Sequence, residues 1–141
     1  MKHLATRGSF GNAIITTNDK FFVGGNPIPQ GSLKVINGNV LHTNARELKR
    51  WRADIGNTYK LMNKPPIDGA VQLELTFVLA KPKTVKRIYP FVRPDLDKLC
   101  RAVLDALTGI AYKDDQQVVT LNANKIYGER AGVFILLTEL V

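Results

Sequence analysis

Arg93-Pro94-Asp95-Leu96-Asp97-Lys98-Leu99-Cys100-Arg101-Ala102-Val103-Leu104-Asp105-Ala106-Leu107 reads as an extended entry into an amphipathic helix, and Asp114-Asp115 follows shortly after it. Leu96, Leu99, Cys100, Val103, Leu104 and Leu107 recur at three-to-four spacing, so this stretch predicts a helix over 95–108 with one buried face, ended by Gly109. Five of the chain's twelve carboxylates fall between residues 95 and 115, although the formal net charge is +8. Carboxylates so close repel one another unless a cation or basic neighbours offset them. Divalent metal held against a polyanion satisfies both facts, and points to phosphodiester chemistry.

Asp95 and Asp97 would diverge by about 200° on an ideal helix. They converge only if Asp95 is an extended cap and Asp97 opens the first turn, and Pro94 favours that entry. Alone, such a pair is more often an ordinary acidic helix start. Asp114-Asp115 raises the stakes, because a short return through Ile110 to Lys113 is expected to bring that pair back, so that three carboxylates from two segments meet around magnesium. Arg101, four residues after Asp97, shares its helix face and either pairs with Asp97 or Asp105 or faces a phosphate. Asp105 reads as a surface or salt-bridge residue.

Outward from this helix, Val71, Leu73, Leu75, Phe77 and Leu79 alternate with Gln72, Glu74 and Thr76, the pattern of a half-buried strand. Before it, Leu48, Trp51, Ile55, Tyr59 and Met62 define the buried face of a helix over 44–62, stopped by Pro65-Pro66. Asn37-Gly38 between Leu33–Ile36 and Val40–His42 is a two-residue hairpin signal. A further hairpin is expected between 13–17 and 21–25, turning at Asn18-Asp19. Strands over 117–126 and 133–140 complete the chain. The expected fold is α+β: one domain over 1–141, a mixed sheet with two main helices in β-β-α-β-α-β-β order, with 1–20 a flexible or strand-forming extension.

Hydrophobic content of 45% and charged content of 23% suit an ordinary globular protein. No apolar run approaches the ~20 residues of a membrane helix, and Met1 to Lys20 has no signal-peptide core, so a cytoplasmic location and no membrane partner are expected. The lone cysteine, Cys100, lies among apolar neighbours and reads as a core thiol. His3 and His42 have no zinc-ligand spacing. Residues 1–93 carry a net charge of +10 and residues 94–141 a net charge of −2, an electrostatic footprint for nucleic acid beside a separate acidic site. Lys81, Lys83, Lys86, Arg87 and Arg93 fall in a segment with neither helical nor strand periodicity. With Lys34 and the outer face of helix 44–62 they are the candidate phosphate contacts. Tyr89 and Phe91 are either base-stacking or hairpin-core residues.

The run Arg93 to Leu99 with Arg101, then Asp105-Ala106-Leu107 and Tyr112-Lys113-Asp114-Asp115-Gln116-Gln117-Val118, resembles the RusA family of phage-derived Holliday junction resolvases. Gly25-Asn26-Pro27-Ile28-Pro29-Gln30-Gly31-Ser32-Leu33-Lys34 is similar to that family's opening Gly-x-Pro-x-Pro-Lys-x-Arg pattern. The resemblance spans roughly residues 21 to 140. It implies a homodimeric endonuclease cutting four-way junction DNA by paired nicks in recombination and repair, in a bacterial host cell. Asp95, Asp97 and Asp115 would bind magnesium, with manganese as substitute, and no nucleotide cofactor is implied. Arg101 stands where the family usually has an essential lysine and Lys98 where it usually has asparagine. Arginine keeps the charge but cannot shuttle a proton, so Lys98 is the alternative for that role and a further DNA contact. A flap or branched-DNA nuclease, a non-catalytic nucleic-acid-binding protein with a degenerate site, and an assembly protein are the competing readings.

Overall fold

The computed structural model describes the backbone of residues 2–7, 14–31, 33–42 and 44–141, and the side chains of 19–31, 37–38 and 44–141. The alternation at 71–79 becomes strand β5 (Ala70–Ala80), with Val71, Leu73, Leu75 and Phe77 at most 1% exposed. It is paired along both of its edges. Strand β6 (Val118–Gly128) pairs with it in parallel, and β7 (Gly132–Leu140) flanks its other side antiparallel. Outside β7 come β2 (Ile14–Gly24) and β1 (Lys2–Arg7), giving the order β1-β2-β7-β5-β6. Strands β3 (Leu33–Ile36) and β4 (Asn39–His42) form a separate two-stranded sheet. Asn37 and Gly38 between them have φ of 51° and 79°, the doubly positive geometry that the twist of a two-residue hairpin demands.

The expected hairpin at Asn18-Asp19 is replaced by one continuous strand. Ala13 lies outside the described residues, and β2 stays paired with β7 from Ile15↔Leu140 to Gly24↔Gly132, with one irregularity between Ile15 and Thr17. Asp19, opposite Leu137, is 5% exposed and reaches Lys64 Nζ at 3.5 Å. Turn propensity loses because the alternation through Phe21 and Val23 carries on towards the core and Lys64 offsets the buried charge.

Helix α1 (Ala45–Lys60) buries Leu48, Trp51, Ile55 and Tyr59, as its spacing predicts. Helix α2 (Leu96–Leu107) buries Leu99, Cys100, Ala102, Val103, Ala106 and Leu107. One apolar cluster unites both helices with the alternate residues of β5 and with Val133, Ile135 and Leu137 of β7, so the helices share one face of the sheet. Gly56 permits the close packing of α1 on α2 and the turn after it, since a β-carbon there would lie 3.4 Å from Ala106 O and 2.8 Å from Ile110 Cδ1. Removing Leu99, fully buried beneath α2, would cost on the order of 2–5 kcal/mol. No helix among the described residues is long and apolar enough to cross a membrane.

Candidate functional site

Strand β5 ends at Ala80, and Pro82, Pro90 and Pro94 keep residues 81–95 out of regular structure. Side chains from β6 hold that segment in place. Lys125 Nζ donates to the carbonyls of Val92 (2.6 Å) and Pro94 (2.7 Å). Arg87 Nε donates to Tyr127 Oη at 3.0 Å, and the guanidinium lies 5.8 Å from the Phe91 ring centroid and 5.9 Å from that of Tyr127. Lys81 Nζ lies 5.8 Å from the Tyr127 centroid.

The chain enters α2 as the spacing requires. Asp95 is the N-cap, in extended geometry (φ −70°, ψ 136°), yet its carboxylate takes no helix N–H. It accepts from Lys98 Nζ at 3.1 Å, in an ion pair about half open to solvent. Asp97 is exposed in the first turn. Burial pushes the Cys100 thiol up to about 11, with the Asp97 charge adding to the effect, which makes it an inert core group. Arg101 is exposed and forms no ion pair with Asp97 or Asp105, so its charge remains available.

The proline-rich loop at 25–31 packs onto these turns. Gln30 N donates to Lys98 O at 3.0 Å, and Arg52 Nη1 holds the Gln30 side chain at 3.0 Å. Gly31 has φ of 96°, and a β-carbon there would lie 3.8 Å from both Arg101 Nη1 and Lys98 Cε. Between this loop and segment 81–95 opens a cavity of about 920 Å³, lined in part by Asn26, Arg87, Arg93, Asp95, Lys98 and Tyr127.

Asp114 and Asp115 divide differently from their sequence symmetry. Asp114 caps a short 3-10 turn at Asp115–Gln117: its Oδ1 accepts from Gln116 N at 3.0 Å, while Gln117 Oε1 accepts from Asp114 N at 3.1 Å. Gln117 Nε2 then donates to Ile67 O and Gly69 O (2.8 and 3.0 Å), anchoring the turn. The Asp115 carboxyl titrates above the usual carboxylate range, through desolvation first, then its hydrogen bond to Asp114 and the charges of Asp114 and Asp105. The expected return therefore brings this pair beside Asp105, near the end of α2. About 12 Å of helix axis separates Asp97 from Asp105 at 1.5 Å per residue. Among the described residues no three His, Cys, Asp or Glu side chains are grouped closely enough to hold a metal ion. Asp95 and Asp97 still fit magnesium, which often binds through one or two carboxylates with waters and substrate phosphates.

Lys81, Lys83, Lys86 and Arg93 are exposed as phosphate contacts must be, and Arg87 is partly so. The side chain of Lys34 lies outside the described residues. Tyr89 and Phe91 are 71% and 77% exposed, so neither is a hairpin-core residue. Lys125 and Tyr127 escaped the sequence reading. Their signal was parity: Lys125 stands opposite Phe77, on the inward register of an alternating strand.

An acidic helix start flanked by cations thus sits on a mixed sheet with two helices. The family model for Endodeoxyribonuclease RusA matches residues 24–138, from the last residue of β2 almost to the end of β7, and the chain belongs to this family of nucleases. It is also similar to the uncharacterized protein YqaN of Bacillus subtilis (strain 168), with 28% identity over 137 residues, covering 86% of this chain and 96% of that protein.

Proposed function

We propose that this chain is a magnesium-dependent, homodimeric nuclease that resolves four-way DNA junctions by paired nicks in recombination and repair. The observation that carries the reading is Asp95: an extended helix cap whose carboxylate is spared from capping and faces a cationic cavity. Asp95 and Asp97 would hold the metal, which when bound lowers the pKa of a coordinated water and polarises the scissile phosphate. Manganese would substitute. Lys98, bonded to Asp95 Oδ2, orients that carboxylate. Arg101, without an ion-pair partner among the described residues and permanently charged, offsets negative charge growing on the phosphoryl oxygens. In-line attack leaves a 5′-phosphate and a 3′-hydroxyl. The Asp115 assignment rests on the resemblance, and on the capping duty falling to Asp114 instead. Two subunits present two such sites, which suits a junction of near-twofold symmetry.

The test is a labelled four-way junction, a matched duplex and a flap, each with and without magnesium. Symmetric magnesium-dependent nicks in the junction are expected. Asp95→Asn, Asp97→Asn and Asp115→Asn should each abolish cleavage while junction binding is kept or tightened, because less negative charge faces the phosphates. Preferential flap cutting would reassign the substrate. No cleavage of any branched DNA by the folded protein would refute the catalytic reading.

A further inference from the structure

We propose that the cavity between residues 26–31 and 81–94 receives one unpaired nucleotide of the DNA, the base against its apolar wall and the phosphate on its cations. This rests on the nuclease reading and names what the site grips beside the cleaved bond.

Three features converge. The volume, about 920 Å³, falls within the range of ~300–1,000 Å³ typical of small-molecule pockets. The wall is built from Pro27, Pro29, Pro82 and Pro90 with Tyr127. Proline lacks a backbone N–H, so this wall presents flat apolar surface and few donors. Such a surface accepts the π-face that every base has, without reading its edge. Asn26, on the same lining, is the group placed to add preference among bases through its amide.

Charge completes the match. Among the described residues, Arg87, Arg93 and Lys98 line the cavity with Asp95 as their only carboxylate, and Asp95 is already paired with Lys98. The ligand is therefore an anion. Arg87 is oriented for one: its Nε is spent on Tyr127 Oη, leaving the two terminal amines to a phosphate in the planar fork that arginine offers. A flat apolar body carrying a phosphate is a nucleotide. Because Asp95 borders the same space, the held nucleotide neighbours the bond to be cut. Unstacking a base from intact duplex is costly, and least so where the base is already unpaired. The cavity would thus favour branched over continuous DNA without any base-specific contact.

The experiment compares binding of a short single-stranded oligonucleotide with a fully abasic strand of equal phosphate count, without magnesium. Wild type should bind the base-bearing strand roughly tenfold more tightly, with equal salt slopes. Tyr127→Leu, which removes the flat ring, and Ala80→Phe, which fills the cavity from an exposed lining position, should each bring the ratio towards one while circular dichroism stays native. The double variant Tyr89→Ala/Phe91→Ala should keep the ratio. A wild-type ratio of one, or a ratio lost only in the double variant, would overturn the proposal. Junction cleavage measured in parallel separates the two ideas: discrimination without cleavage sinks the nuclease reading alone, and cleavage without discrimination sinks the cavity alone.

Discussion

Lys125→Met removes the clamp that ties the approach to α2 onto the sheet. Its ammonium donates two hydrogen bonds, at 2.6 and 2.7 Å, to the carbonyls of Val92 and Pro94. Hydrogen bonds to charged groups contribute about 1.5–3 kcal/mol each. Both carbonyls border solvent and can be rehydrated, so the expected total is about 2 kcal/mol, below the ~3–6 kcal/mol that two fully buried bonds of this kind would contribute. That is roughly a thirtyfold shift in the equilibrium between a clamped and a released segment. Methionine keeps the stem packed along the strand, so the core beneath should hold. Hydrogen exchange of the amides of Phe91 and Leu99, which bond to Tyr89 O and Asp95 O, is the direct assay. Both should exchange faster by about that factor in Lys125→Met, while amides of β5 keep their protection. Junction cleavage should fall with them, because Asp95 loses its fixed entry into the helix. Unchanged exchange at both amides would show that the prolines alone hold the segment, and would refute the clamp.

Arg101→Ala should lower the cleavage rate by about 2–4 kcal/mol of transition-state stabilisation, with Arg101→Lys near wild type; a wild-type rate in Arg101→Ala removes that residue from the site. If Lys98 transfers a proton instead, Lys98→Ala should be the more damaging change, and its defect should vary between pH 6 and 9. Neutralising Lys83, Lys86 and Arg87 should weaken junction and duplex binding alike and reduce the slope of log affinity against log salt by roughly 0.9 per lost phosphate contact; an unchanged slope would assign these residues to folding. Cys100 predicts an alkaline loss of stability. Its thiol is pushed from 9.0 to about 11 in the folded chain, so the folded state is fully favoured below pH 9 and loses on the order of 2–3 kcal/mol as pH rises through 11. Urea midpoints from pH 8 to 11 should show that fall, and Cys100→Ala should remove the part between pH 9 and 10, while Tyr59 and Tyr112, also raised by burial, keep a fall above pH 10.

What the sequence revealed is what local periodicity encodes. The alternation of β5 and the three-to-four spacing of α1 and α2 are consequences of one-sided burial, and each was found within a residue or two of its expected ends. Asp95 as an extended cap followed from Pro94. Long-range pairing left weaker traces. Asn18-Asp19 has turn chemistry, and pairing with β7, more than a hundred residues later, holds that segment straight. Parallel pairing of β6 to β5 has no local signature either, so the clamp of Lys125 stayed hidden. The two adjacent aspartates were alike in sequence, and only the Gln117 network shows which one is committed to capping. Their distance from Asp97 depends on which end of α2 the chain returns from, a matter of packing rather than spacing.

The parallel pairing of β6 with β5 also fixes when during folding the protein becomes able to act. Thr76 and Asn124, which face each other across that pair, lie 48 residues apart in sequence. Closing so long a loop costs entropy before any contact compensates it, and topologies dominated by such pairings fold slowly. The hairpin at Asn37-Gly38 and the two helices draw on near neighbours and can form early. The cavity cannot, because Tyr127 and Lys125 arrive only with β6. Competence to bind is thus a late event in the life of each chain. If the cavity grips a nucleotide as proposed, a nascent or C-terminally shortened chain would expose its cations with no cavity beside them, able to adhere to DNA before it could discriminate a branch.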